Sequence, residues 1–319
     1  MDYVLKNAEQ EHENKTKGSK GYMMKLKESR RIEAEYIFDL DFADDIALLE
    51  GGGQQRSEMS TLERTQSQLT TTANWARRVG LEINIKKTEV FSNQEHIGPS
   101  VGIGNQQFIK LEGHNIAWTK NFKYLGSHIA SSESDIQIRK GQAWGAFWKM
   151  KDVFTSRTLP IKLKIDIFEA ACIPILLYGC ESWIITKKLA RTLNSYATNC
   201  YRIMLGIRKI DKVSNKDVYD IVNRQQLTLR VQQRQLRFVG HSLRRDKNDL
   251  INKYVLYASQ ERHGRRSRGR GRKLYHQYIG ELVNQDVPAK EGELRVAAEN
   301  RDIWRRFCNR LKTSLFSAD

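Results

Sequence analysis

Hydrophobic and polar residues first form short, strand-like runs and later form longer, helix-like ones. Residues 36–49 place two apolar runs around an acidic centre, a pattern that predicts a β-hairpin. Apolar residues near helical spacing then predict a helix over 54–79, with Gly80 as its C-cap. Strand-like alternation returns over 81–91, and short strand candidates follow it. From about residue 132 onward the pattern is helical, so we expect an α+β protein.

The second half of the chain contains few helix breakers and several helix-start signals. The first 34 residues, by contrast, are polar and charged without sustained periodicity, and we expect a poorly ordered leader there. The helical pattern predicts helices over 134–155, 160–185 with a bend before Pro174, 188–206, a helix capped by Ser214, 225–243, and two more within 274–316.

The charge is strongly basic and unevenly distributed. The 319 residues include 54 lysines and arginines against 37 acids, which gives a net charge of +17. Residues 224–278 hold 15 of these basic residues against three acids, a local surplus of +12. Such a surplus predicts a polyanionic partner, and binding of the phosphate backbone is one interpretation, with nuclear localisation as the other. Within this stretch, 262–273 is a Gly/Arg segment that we interpret as a basic linker. The candidate nucleic-acid-binding residues are Arg244, Arg245, Arg265, Arg266, Arg268, Arg270, Arg272 and Lys273.

Cysteine use and hydropathy exclude several other classes. The four cysteines are too few and too scattered for a disulfide scaffold, and none of them form a CxxC pair with zinc-site spacing. The longest apolar run, over 170–180, is about half the length of a membrane span. We therefore expect no membrane partner and a nuclear or cytoplasmic location.

Asp44 and Asp45 are the strongest candidates for chemistry. They are adjacent carboxylates between two apolar runs, so the predicted turn would push both acids out of the hairpin. Metal-dependent phosphoryl transfer uses carboxylates on a rigid element to hold two divalent cations. The alternative interpretation is a polar turn between two strands.

Three ordered motifs in this region resemble those of reverse transcriptases. Residues 42–45, Phe-Ala-Asp-Asp, are similar to motif C in the form found in non-LTR, LINE-type retrotransposons. The segment 80–89, which contains Gly-Leu-Glu-Ile-Asn-Ile-Lys-Lys-Thr-Glu, resembles motif D. The segment Phe-Lys-Tyr-Leu-Gly at 122–126 resembles motif E, the primer grip.

Later segments extend the resemblance to most of the chain. Residues 176–183 and 238–246 resemble the family's thumb and post-thumb signatures, and 269–273 and 300–305 resemble its C-terminal ones. The resemblance implies a partial reverse-transcriptase palm at 35–130, a helical thumb at 131–222 and a basic C-terminal extension at 223–319.

The function that the resemblance implies is RNA-directed DNA synthesis on an RNA template and a DNA primer, with dNTP as substrate. Asp44 and Asp45 would be the catalytic, metal-binding pair for Mg²⁺ (or Mn²⁺). Lys86 and Lys87 would bind the nucleotide. The primer grip would comprise Phe122, Tyr124, Leu125 and Gly126.

The sequence also departs from the family pattern. Reverse transcriptases carry a third metal-binding aspartate in motif A and a motif B helix before motif C, and the 43 residues before Asp44 contain neither. We therefore expect a truncated enzyme that is inactive alone, because two adjacent acids cannot surround two metal ions. The alternatives are a non-catalytic RNA- or DNA-binding remnant of the same element and a relic without a selected function.

Overall fold

The computed structural model describes residues 1–16, 21–25, 35–51, 59–92, 108–129, 131–257, 273–284 and 286–311. They form two compact units that divide between Ala130 and Ser131. The protein is mostly helical with small sheets. Among the described residues, no helix combines the length and the apolar character that a membrane span requires.

The first unit contains short strands that pair two by two. β1 and β2, β3 and β4, β6 and β7, and β9 and β10 pair antiparallel, whereas β5 and β8 pair parallel. The strands are β1 (Tyr22–Lys25), β2 (Glu35–Ile37), β3 (Asp39–Phe42), β4 (Asp45–Leu48), β5 (Glu89–Val90), β6 (Lys110–Leu111), β7 (His114–Asn115), β8 (Ala117–Trp118), β9 (Lys123–Tyr124) and β10 (Ser127–His128).

Two helices of the first unit pack against each other. They are α1 (Asp2–Lys15) and α2 (Thr61–Arg78). The prediction of a poorly ordered leader over 1–34 is wrong for residues 2–15, which form α1. Val4, Leu5 and Ala8 are buried on one face of this helix. The indole Nε1 of Trp75 on α2 also donates to Glu11 Oε2 at 2.7 Å.

Local signals set the ends of α2. Ser60 and Glu63 form a reciprocal capping box at its start, so the helix begins after Ser60; the predicted start over 54–58 lies outside the described residues. At its end Gly80 has a φ of 79°, and Leu81 N donates to Ala76 O at 3.0 Å. Gly80 thus ends α2 in a left-handed conformation, as its predicted capping role requires, one position after the C-cap residue Val79. The adjoining core consists of Leu69, Ala73, Ile109, Leu111 and Ile116.

The strand predicted over 81–91 is limited to β5 (Glu89–Val90). Asn84 explains the difference, because its backbone carbonyl accepts the N–H groups of Lys87 and Thr88 at 3.0 Å each. Its side chain accepts from Lys87 N as well, at 3.2 Å. Side-chain capping by asparagine favours a turn over an extended strand.

The second unit is a helical assembly around a large hydrophobic core. Ser214 caps α8 in a box with Asp217, as predicted. Over 273–284 and 286–311, the described part of the tail, there are three helices where the sequence pattern predicts two. The helices are α3 (Ser132–Lys149), α4 (Lys151–Thr155), α5 (Ile161–Ala171), α6 (Ile173–Leu176), α7 (Lys187–Leu205), α8 (Asn215–Val222), α9 (Leu227–Leu243), α10 (Leu250–Tyr254), α11 (Tyr275–Val283), α12 (Glu291–Glu299) and α13 (Arg301–Arg310).

The predicted division between thumb and C-terminal extension at 222/223 falls inside this single unit. Helix α9, which follows that point, packs against α7 before it and against α10 to α13 after it. All four cysteines are free and buried here. Burial raises the pKa of Cys172 to about 11 and that of Cys180 to about 12.

Candidate functional site

The hairpin predicted around Asp44 and Asp45 is present as β3 and β4. Phe42 faces Asp45 across the hairpin, so Ala43 and Asp44 form a two-residue turn. Ala43 has a φ of 57°, a left-handed conformation that L-residues other than glycine adopt rarely. Both acids are exposed to solvent at this end of the hairpin.

Two further acids make the hairpin strongly negative. Asp39 and Asp41 lie two positions apart on β3 and therefore on the same face of the strand. Burial, followed by the charges of Asp41, Glu9 and Asp2, raises the pKa of Asp39 to about 6. The hairpin thus carries four aspartates between positions 39 and 45.

The predicted primer-grip segment lies beside this hairpin. The Tyr124 hydroxyl donates to Leu40 O on β3 at 3.0 Å, across 84 positions of sequence. Burial, followed by the charges of Asp41, Asp45 and Asp39, raises the pKa of Tyr124. The structure therefore brings together two of the segments that the sequence singled out separately.

A tight turn directly follows Tyr124 in the chain. Leu125 and Gly126 connect β9 to β10 with φ values of 47° and 84°, the pattern of a two-residue hairpin turn with both φ positive. Phe122, just before the strand, stacks on Phe91 with ring centroids 6.0 Å apart. The segment 122–126 is thus anchored on both sides of Tyr124.

Lys86 and Lys87 occupy the exposed turn that follows Asn84. The hydrogen bonds of Lys87 N and Thr88 N to Asn84 O hold this turn. Among the described residues, no contact joins the side chain of Lys86 or Lys87 to the acidic hairpin. Their predicted role at the nucleotide therefore stays a prediction.

The described residues do not by themselves fit the expected Mg²⁺ (or Mn²⁺) site. Within the described ranges, no group of three or more His, Cys, Asp or Glu side chains is placed to hold a metal ion. Asp44 and Asp45 supply two carboxylates, whereas a two-metal centre needs more oxygen ligands on a rigid frame.

The thumb-like segment 176–183 has a structural role in the second unit. Gln235 on α9 donates through Nε2 to Cys180 O at 2.8 Å and to Trp183 O at 2.7 Å. The Tyr278 hydroxyl in turn donates to Gln235 Oε1 at 2.8 Å. Trp183 Nε1 donates to Asp135 Oδ2 at 2.8 Å, and both side chains are buried. These contacts tie the segment to α3, α9 and α11.

The post-thumb segment and the C-terminal segment meet at Gly240. Trp304 on α13 packs directly over this glycine, and its Nε1 donates to Leu236 O on α9 at 2.6 Å. Asn300 begins α13 by accepting the N–H groups of Asp302 and Ile303. The two segments that the sequence presented separately therefore form one helix–helix contact.

The predicted nucleic-acid-binding residues divide into two groups. Arg244 donates to Ala298 O at 3.1 Å, Arg245 pairs with Asp249 at 2.7 Å, and Lys273 pairs with Glu281. The others lie outside the described residues; they are Arg265, Arg266, Arg268, Arg270 and Arg272.

Sequence reasoning missed an arginine-lined cleft of about 450 Å³ on the second unit. Glu169 contacts both Arg230 and Arg224 there, at 2.9 and 3.5 Å. Arg234 pairs with Glu181 at 2.7 Å, and Arg237 also lines the cleft. The spacing of Arg230, Arg234 and Arg237 on α9 was a signal available in the sequence, but the acids that pair with Arg230 and Arg234 come from other elements.

Comparison with known proteins identifies one relative by sequence. The chain is 27% identical, over 224 residues, to an uncharacterized transposon-derived protein of Caenorhabditis elegans. The match covers 67% of this chain and 75% of that protein. This similarity supports a transposon-related origin. No protein-family model matches the chain, and no solved structure matches it significantly.

Proposed function

We propose that the chain derives from the reverse transcriptase of a non-LTR retrotransposon. We further propose that it binds nucleic acid but does not catalyse DNA synthesis. The observation that carries the proposal is the hydrogen bond between Tyr124 and Leu40. It joins the motif C-like hairpin to the motif E-like turn, two separate segments that each resemble a reverse-transcriptase motif. The resemblance assigns both segments to one palm, and this contact agrees with that assignment.

The charge distribution supports nucleic acid as the partner. The surplus of +12 in residues 224–278 is opposite in sign to the phosphate backbone. Lysines and arginines that neutralise phosphates release counterions, which supplies binding energy independent of base sequence. An RNA template, a DNA primer or another nucleic acid would satisfy this charge equally well.

The carboxylate arrangement favours binding over polymerisation. Asp44 and Asp45 would be the family's metal-binding pair, and Lys86 or Lys87 the lysine near the nucleotide. Bound Mg²⁺ would supply charge neutralisation at the reacting phosphate. Within the described ranges, however, no third His, Cys, Asp or Glu side chain is placed to hold a metal ion together with the two exposed aspartates. We therefore favour the non-catalytic alternative for the chain as it stands.

Primer extension tests this proposal. The full chain is incubated with poly(rA)/oligo(dT), dTTP and Mg²⁺ or Mn²⁺, and binding of the same duplex is measured in parallel. We expect binding without incorporation, and we expect Asp44→Ala to bind as the parent chain does. Template-dependent incorporation that Asp44→Ala abolishes would show that the chain is a polymerase. If the chain does not bind the duplex, the proposed nucleic-acid binding is wrong.

A further inference from the structure

The arginines along α9 divide into neutralised and unneutralised sets. Towards the start of the helix, Arg230 pairs with Glu169 and Arg234 with Glu181. Further along, Arg237 and the C-cap residue Arg244 lie seven positions apart, which places them on the same side of the helix. No described carboxylate forms an ion pair with either of these two.

Helix α13 brings a third guanidinium to this face. Packing of Trp304 over Gly240 fixes α13 across α9, between the positions of Arg237 and Arg244. Arg301, at the start of α13, is close enough for its charge to act on Arg244, and it too has no ion pair with a described carboxylate. Cys308 lies within the electrostatic reach of both Arg237 and Arg244. The three arginines therefore surround one helix–helix contact.

Like charges held together destabilise a fold unless a counter-charge is supplied. Burial and the neighbouring charge of Arg301 lower the pKa of Arg244, which reflects this unfavourable environment. The scaffold is rigid nonetheless, because Trp304 is buried and hydrogen bonded, and Arg244 is held by Ala298 O at 3.1 Å. A fixed cluster of guanidinium groups that form no ion pair with a described carboxylate is an arrangement that can recognise phosphate.

We infer that Arg237, Arg244 and Arg301 form a folded binding surface for the phosphodiester backbone of a nucleic acid. This inference rests on the proposed nucleic-acid binding and assigns part of it to a defined surface on α9 and α13, separate from the Gly/Arg segment 262–273. Arg237 and Arg301 are exposed and Arg244 is half-buried, so phosphates reach the cluster from solvent.

The test compares two triple variants of equal charge. One is R237Q/R244Q/R301Q, and the control is R157Q/R191Q/R208Q, whose arginines are exposed elsewhere on the second unit. Binding of a labelled DNA duplex is followed by fluorescence anisotropy between ~50 and ~200 mM salt. Each lost phosphate contact lowers the slope of log affinity against log salt by about 0.9.

We expect the cluster variant to lose about 2 to 3 in slope and at least about 10-fold in affinity, and the control to lose much less. Because Arg244 also supports Ala298 O, the double variant R237Q/R301Q is measured as well, with an expected slope loss of about 2. Far-UV circular dichroism and thermal melting confirm that each variant is folded.

The outcomes separate the two proposals. A parent chain that does not bind DNA in a salt-dependent way would overturn the proposed function. A parent chain that binds normally, with cluster and control variants indistinguishable, would overturn the inference alone. The inference would also be wrong if the cluster variant lost binding to phosphatidylcholine–phosphatidylserine vesicles while its DNA binding stayed unchanged. The cluster would then bind an anionic membrane surface.

Discussion

Substitution of Gly240 by alanine tests the contact that joins the post-thumb and C-terminal segments. A Cβ added at Gly240 would lie 2.1 Å from Trp304 Nε1 and 2.4 and 2.6 Å from Cδ1 and Cε2 of the same indole. The indole cannot move away freely, because it is 3% exposed and its Nε1 donates to Leu236 O at 2.6 Å. Gly240→Ala should therefore displace Trp304 from α9.

We expect Gly240→Ala to lower the free energy of unfolding, although glycine-to-alanine changes inside helices usually raise it. A glycine-to-alanine change inside a helix normally stabilises it by about 0.5–1 kcal/mol. Loss of a buried tryptophan contact costs about 3–5 kcal/mol. The net change for Gly240→Ala is therefore a loss of about 2–4 kcal/mol in the free energy of unfolding.

Urea unfolding of the full chain, followed by far-UV circular dichroism, measures this loss. Gly145→Ala is the matched control, because Gly145 lies inside α3 and an added Cβ there meets no atom within 4 Å. The control should be about 0.5–1 kcal/mol more stable than the parent chain. In a Trp304→Ala background, Gly240→Ala should no longer destabilise. A Gly240→Ala chain as stable as the parent, with Gly145→Ala stabilising as expected, would refute the packing described here.

Two further predictions concern the acidic hairpin and the basic segment. Because the pKa of Asp39 is raised from 3.8 to about 6 in the folded state, folding favours the protonated acid. The contribution of Asp39 to stability is therefore most favourable below about pH 4 and is lost as pH rises through 6. Asp39→Asn should remove that fall and raise the melting temperature at neutral pH, and melting curves that shift with pH as in the parent chain would contradict this. Deletion of 262–272 removes six arginines and should flatten the salt dependence of nucleic-acid binding while leaving the far-UV spectrum of the helices unchanged. An unchanged salt slope would show that this segment does not contact phosphate.

Local signals in the sequence were sufficient for several elements. The hairpin of β3 and β4, the C-cap at Gly80 and the cap at Ser214 each depend on residues within a few positions of one another. The sequence pattern failed over 81–91, where capping by Asn84 overrides apolar alternation. It failed for α1 as well, because Val4, Leu5 and Ala8 become an apolar face only when α2 covers them.

The contacts that define the candidate sites are long-range. Tyr124 and Leu40 are 84 positions apart, and Trp304 and Leu236 are 68 positions apart. Hydrophobic periodicity does not predict such pairs. The order of the motifs only assigned the segments of the first pair to the same expected palm. The acids that neutralise Arg230 and Arg234 likewise come from α5 and from the turn at Cys180–Ser182. The sequence had singled out Arg244, but not Arg237 or Arg301, which the fold places with it around the contact of α9 with α13.

The central claim, nucleic-acid binding through phosphate contacts, is tested most directly by one salt titration. The affinity of the full chain for two DNA duplexes of unrelated sequence is measured by fluorescence anisotropy. With roughly six phosphates engaged, affinity should fall by ~10³ between ~50 and ~200 mM salt, equally for both sequences. An affinity that does not change with salt, or strong preference for one of the sequences, would contradict the account.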